Sequence, residues 1–156
     1  MRPAERKIAM NPHPYLRAFL AGAFAPTLIL PLILTVFIVV RLVLQFPVPI
    51  ERALVFPMAL VPSLFGLWNM FWLASHARTN LPIGFHGALL PLFIAPLGGL
   101  VGSCLGVFAF GSSGINLQAF HIPYAFIAFG FVCALAAYYL VWKYVVGFVN
   151  RTLGIA

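Results

Sequence analysis

Apolar residues run along this chain in four long blocks, separated by short polar or proline-containing segments. The blocks extend from about Ala18 to Leu44, Ala53 to Ser75, Gly87 to Phe110 and Ile122 to Val149. A bilayer core about 30 Å thick takes roughly 20 helical residues to cross, and each block is that long. The pattern predicts an all-α integral membrane protein, a bundle of four transmembrane helices spanning about 18–44, 53–75, 87–110 and 122–149. Residues 1–17 read as a basic N-terminal arm, 18–149 as one transmembrane domain and 150–156 as a short tail. The first block is too long for the roughly 7–15-residue apolar region of a signal peptide, so it is expected to be retained.

The breaks between blocks have their own chemistry. Proline disfavours helix in the residue before it, so Asn11-Pro12-His13-Pro14 places the first helix start after Pro14. Phe46-Pro47-Val48-Pro49 closes that helix. Glu51 sits near the start of the second, where a negative charge suits the helix dipole. His76 to Pro82 reads as a polar turn and Gly111-Ser112-Ser113-Gly114 as a flexible loop. Pro123 fits the first turn of the fourth helix.

Proline recurs within the blocks at five-residue spacing: Pro26 and Pro31, Pro57 and Pro62, Pro91 and Pro96. Each removes a backbone hydrogen bond and favours a kink, so the helices are expected to be proline-kinked, either as fixed bends or around a cavity. Pro26 and Pro31 map onto Pro91 and Pro96 at an offset of 65, a hint of two related hairpins. Gly98, Gly102 and Gly106 are spaced four apart, which on a helix forms a small-residue packing face. Its expected partner is the fourth helix or another subunit.

Composition agrees with the blocks. The chain is 63% hydrophobic and 7% charged, against about 25% charged for soluble domains, and mean hydropathy is +1.07. The net charge of +7 reads as a topology signal rather than a nucleic-acid footprint. Arg2, Arg6, Lys7, Arg17, Arg78, Lys143 and Arg151 fall on one side of a four-span layout, and Arg41 and Arg52 on the other. Both termini are therefore expected inside, in a plasma or bacterial-type inner membrane, with lipids as neighbours. Cys104 and Cys133 lie within blocks, without a CxxC motif, and are expected to be buried apolar thiols.

Candidate chemistry is sparse. There is no Asp, and neither Glu falls at mid-membrane depth, which argues against ion-coupled transport and paired-carboxylate hydrolysis. No phosphate-binding loop, HExxH or GxSxG motif occurs. Polar and aromatic residues gather instead on the expected inner side, where Asn69, Trp72, His76, Arg78, His86, Tyr139 and Trp142 form a candidate ligand site for a lipid, quinone or other amphiphile. The bland alternative is an interfacial aromatic belt. No metal site is expected; His76 and His86 are the residues that would hold a metal or haem if one were bound. The expectation is a small membrane protein without catalytic motifs, acting as an accessory or scaffold subunit or a homo-oligomer. The alternative is a transport, lipid- or quinone-handling protein with a proline-lined cavity.

Overall fold

A computed structural model describes residues 13–45, 56–117 and 120–155. The basic arm up to residue 12, and Pro47, Pro49, Glu51 and Arg52, lie outside the described residues. The order of elements is α1 (Pro14–Leu42), α2 (Phe56–Thr79), α3 (Ile83–Cys104), β1 (Phe108–Phe110), β2 (Gly114–Leu117), β3 (Phe120–Pro123), α4 (Tyr124–Leu140), a π-helical turn (Val141–Val146) and α5 (Gly147–Thr152). Four helical segments are long and apolar enough to cross a membrane: Pro14–Leu42, Met58–Thr79, Ile83–Cys104 and Tyr124–Thr152, the last being α4 through α5.

The helix ends follow local chemistry. Pro14 lies within α1, because its fixed φ and missing N–H suit a helix's first turn. Asn80 takes a left-handed φ of 48° after α2 and gives its N–H to the His76 carbonyl. Gly106 ends α3 with φ 65°. Its N–H bonds Ser103 O, and the Val107 N–H bonds Gly102 O. This double closure is a Schellman motif, which needs a residue free to adopt positive φ. α1 and α3 continue through their internal prolines, Pro26 and Pro31 in one, Pro91 and Pro96 in the other.

One expectation is overturned between α3 and α4. The segment expected as the end of one span, a flexible loop and the start of the next is a three-stranded antiparallel sheet in the order β1-β2-β3. Phe108 pairs with Leu117, and Asn116 pairs with His121. Gly114 lets β2 and β3 close up: a Cβ there would overlap the Ile122 carbonyl oxygen.

α1 packs chiefly on α2, and α3 on α4 with its continuation. The core lies toward the end that carries the α2–α3 turn, hereafter the turn end; the sheet marks the other. Ala18, Ala21, Gly22, Ala25 and Pro26 are the buried residues of α1, spaced as one helical stripe. Gly22 has no room for a side chain, since a Cβ would sit 2.8 Å from Asn69 Cβ on α2. The buried residues of α3 are Gly84, His86, Gly87, Leu90 and Pro91. Trp142 fills the centre: its side chain lies where a Cβ on Gly87 would be, and its ring is 5.8 Å from that of Phe65. α4 has no buried residue. From the π-helical turn onward, Trp142 and Val146 in the turn and Gly147 and Asn150 in α5 are buried. The wider turn re-aims the helix, so its last third faces the core and α4 does not.

Candidate functional site

Sequence reasoning placed seven residues in one site; the structure distributes them over three settings. The first is a polar knot. Asn69 on α2 and Asn150 on α5 are both fully buried. Asn69 Nδ2 donates to the Ala18 carbonyl of α1 at 2.7 Å and to Asn150 Oδ1 at 2.8 Å. Asn150 Nδ2 returns a bond to Asn69 Oδ1 at 3.1 Å. This reciprocal amide pair ties three helices, and both Nδ2 protons of Asn69 are used. Asn150 was missed because its neighbour Arg151 marks a chain end. The available signal was that amides are rare in such an apolar chain.

The second setting is an aromatic box around His86, which is 3% exposed. Its ring lies 4.9 Å from Trp68, 5.6 Å from Phe71 and 6.1 Å from Trp142. The Trp68 indole N–H donates to the His86 carbonyl at 2.9 Å. Neither imidazole nitrogen has a hydrogen-bond partner among the described residues, and the same holds for the indole nitrogens of Trp72 and Trp142. Trp68 also walls a groove of about 210 Å³ between α2 and α3, together with Leu64, Leu67, Leu90, Phe93, Ile94 and Leu97. This groove is not among the features expected from the sequence.

The third setting is the surface of the turn end. His76 and Arg78 are exposed in the last turn of α2. His76 stacks on Trp72 at 4.7 Å, whereas His86 belongs to the Trp68 box. Tyr139 covers Gly84, with a Cβ there falling 2.8 Å from its ring, and meets Phe85 edge-on at 5.2 Å. The Lys143 ammonium sits 5.6 Å from the Tyr139 ring and 5.3 Å from that of Tyr144, within the range of cation–π attraction. Among the described residues no group of three or more His, Cys, Asp or Glu is placed to hold a metal.

The glycine face divides as well. An added Cβ at Gly98 meets nothing within 4 Å, while one at Gly102 meets the Phe108 ring of β1. Gly106 lies beyond the helix as its stop signal, so it cannot share the helical face of the other two. Gly130 on α4 is also in open space. Cys104 and Cys133 are free and exposed, contrary to the expected burial; their helices turn these faces away from the core.

A further polar constellation sits on the sheet. His121 Nδ1 lies 2.8 Å from Asn116 Oδ1, and His121 Nε2 lies 3.3 Å from Ser113 Oγ. The flexible loop expected over residues 111–114 gave no sign of it, since the sheet pairing is what brings Asn116 and His121 together. Comparison with family models, curated proteins and solved structures returned no match to this chain.

Proposed function

We propose that the chain is a four-span integral membrane protein with both termini inside, serving as a scaffold or accessory subunit that assembles with copies of itself or with another membrane protein. The observation that carries this reading is the uneven packing. The core is concentrated toward the turn end, while Gly98 and Gly130 meet no neighbour. Small residues on an open helix face permit close approach of another helix backbone, which is how membrane helices associate. The basic residues on the turn-end side support the orientation. Chemical crosslinking of Gly98→Cys in native membranes tests the assembly. A crosslinked dimer or a stoichiometric partner is expected. A monodisperse monomer in nanodiscs, with no partner captured from its own membrane, overturns it. For orientation, Ser113→Cys should be labelled from the side opposite to Ala4→Cys.

The α2–α3 groove favours a second reading, in which the protein holds an amphiphile. Its lining of Leu64, Leu67, Leu90, Phe93, Ile94, Leu97 and Trp68 suits the apolar chain of such a molecule. Lipid or quinone extracted from the purified protein in stoichiometric amount would promote this reading over the first.

A further inference from the structure

We propose that Ser113, His121 and Asn116 form a serine acyl-transfer site on the extramembrane sheet, acting on uncharged esters of amphiphiles. This activity is additional to the subunit reading and does not rest on it. The warrant is which atoms face each other. Asn116 Oδ1 can only accept a hydrogen bond, so its 2.8 Å contact requires the proton on His121 Nδ1. That tautomer leaves the Nε2 lone pair toward the Ser113 hydroxyl, 3.3 Å away. Nucleophile, base and orienting acceptor thus stand in the relation that activates a serine, at a distance typical before substrate binds.

The support is built into the sheet. Asn116 and His121 are direct cross-strand partners. Ser113 lies in the turn joining β1 and β2, which the Gly111 N–H closes onto Gly114 O at 2.8 Å. The Tyr124 hydroxyl holds the Gly111 carbonyl at 2.8 Å, and the Tyr124 N–H holds the Ser113 carbonyl at 3.2 Å. The backbone amides of Ser112 and Ser113 donate to no backbone carbonyl among the described residues. They are the natural donors to an oxyanion formed beside Ser113.

The surroundings select the substrate class. The sequence has no Asp, Glu, Lys or Arg from Thr79 to Trp142, so the turn and strands that carry the site supply no side-chain charge of their own to a phosphoryl transition state or a charged acyl group. Phe110, Phe120 and Tyr124 are exposed around the turn and strands, a rim suited to an apolar acyl chain at a membrane surface. In the first step Ser113 Oγ attacks the ester carbonyl carbon while its proton passes to His121 Nε2. The tetrahedral intermediate collapses with cleavage of the ester C–O bond, and the departing alcohol takes that proton. Water, deprotonated by the same Nε2, then attacks the acyl-serine. The carboxylic acid leaves, the Ser113 hydroxyl is restored, and the net reaction is ester plus water to acid plus alcohol.

The test is labelling of the full chain, reconstituted in nanodiscs, with an alkyl fluorophosphonate, followed by peptide mapping. Ser113 should be labelled and its neighbour Ser112 should not. Labelling should vanish in Ser113→Ala. It should slow by about 100-fold in His121→Gln, the lower end of what a positioned general base contributes. Gln keeps a polar partner for Asn116, and Asn116→Leu, which removes only the orienting acceptor, should also slow labelling. Thermal unfolding of each variant separates lost reactivity from lost fold. Wild-type protein that labels Ser113 no faster than Ser112, or a folded His121→Gln variant that labels at the wild-type rate, overturns the proposal.

Discussion

Replacing Asn69 by Leu should be among the most damaging single changes in the helical bundle, and replacing Asn150 as well should largely repair it. Asn69→Leu removes all three hydrogen bonds of the amide knot. Interhelical bonds of this kind average about 0.6 kcal/mol in a membrane protein, so the direct loss is about 2 kcal/mol. The larger consequence is that the Asn150 side chain, fully buried, keeps its polar atoms without their partner. A stranded buried polar group costs about 1–3 kcal/mol more. The single variant should therefore lose about 3–5 kcal/mol. Asn150→Leu should lose somewhat less, because Asn69 keeps its bond to the Ala18 carbonyl. With both amides replaced by apolar side chains of similar size no stranded group remains, and the double variant should be more stable than Asn69→Leu. Equilibrium unfolding by SDS in mixed micelles reads all four proteins of this double-mutant cycle. Additivity of the two single losses within about 0.5 kcal/mol would mean that the two residues do not interact, and the reasoning would fail.

Three further outcomes follow from the packing. Gly87→Leu should cost about 1–3 kcal/mol in the same unfolding assay because it overpacks the Trp142 site, whereas Gly98→Leu, facing open space, should leave protomer stability within about 0.5 kcal/mol of wild type. His86→Leu should raise stability by about 1 kcal/mol, since it removes a buried imidazole with no hydrogen-bond partner among the described residues; a loss of similar size would show that the imidazole is bonded within the membrane. Gly114→Ala should open the sheet without altering the helices, because its Cβ would overlap the Ile122 carbonyl. Faster proteolysis between Gly106 and Tyr124 with unchanged far-UV circular dichroism is the expected signature.

The four long apolar helices were legible because the length and composition that would suit a hydrophobic solvent are written locally in the sequence. The sheet was less legible for a related reason. Phe108 and Phe110, Ile115 and Leu117, and Phe120 and Ile122 alternate with smaller or more polar residues, as strands do. These residues were nevertheless absorbed into neighbouring apolar blocks or read as loop. Gly106 shows a different ambiguity: spacing of four suggests a packing face, but a glycine also ends helices, and only the backbone bonds of Ser103 and Gly102 distinguish the two. Asn69 was named for a ligand site, and its amide is bonded instead to Ala18 and Asn150. Its partner lies 81 residues away, and no local pattern in a single sequence reports a contact of that separation. The His86 box and its groove depend likewise on how α2, α3 and the π-helical turn meet.

The placement of Trp142, Val146 and Asn150 has a consequence for biosynthesis. These residues close the core against α1, α2 and α3, yet they follow all three helices in the order of synthesis. Gly87 has no Trp142 to receive, and Asn69 no amide partner, until the segment that follows α4 has been made. Packing of the first three helices is therefore gated by the segment from Trp142 to Asn150, and a chain stalled before Trp142 would carry those helices without the residues that close their core.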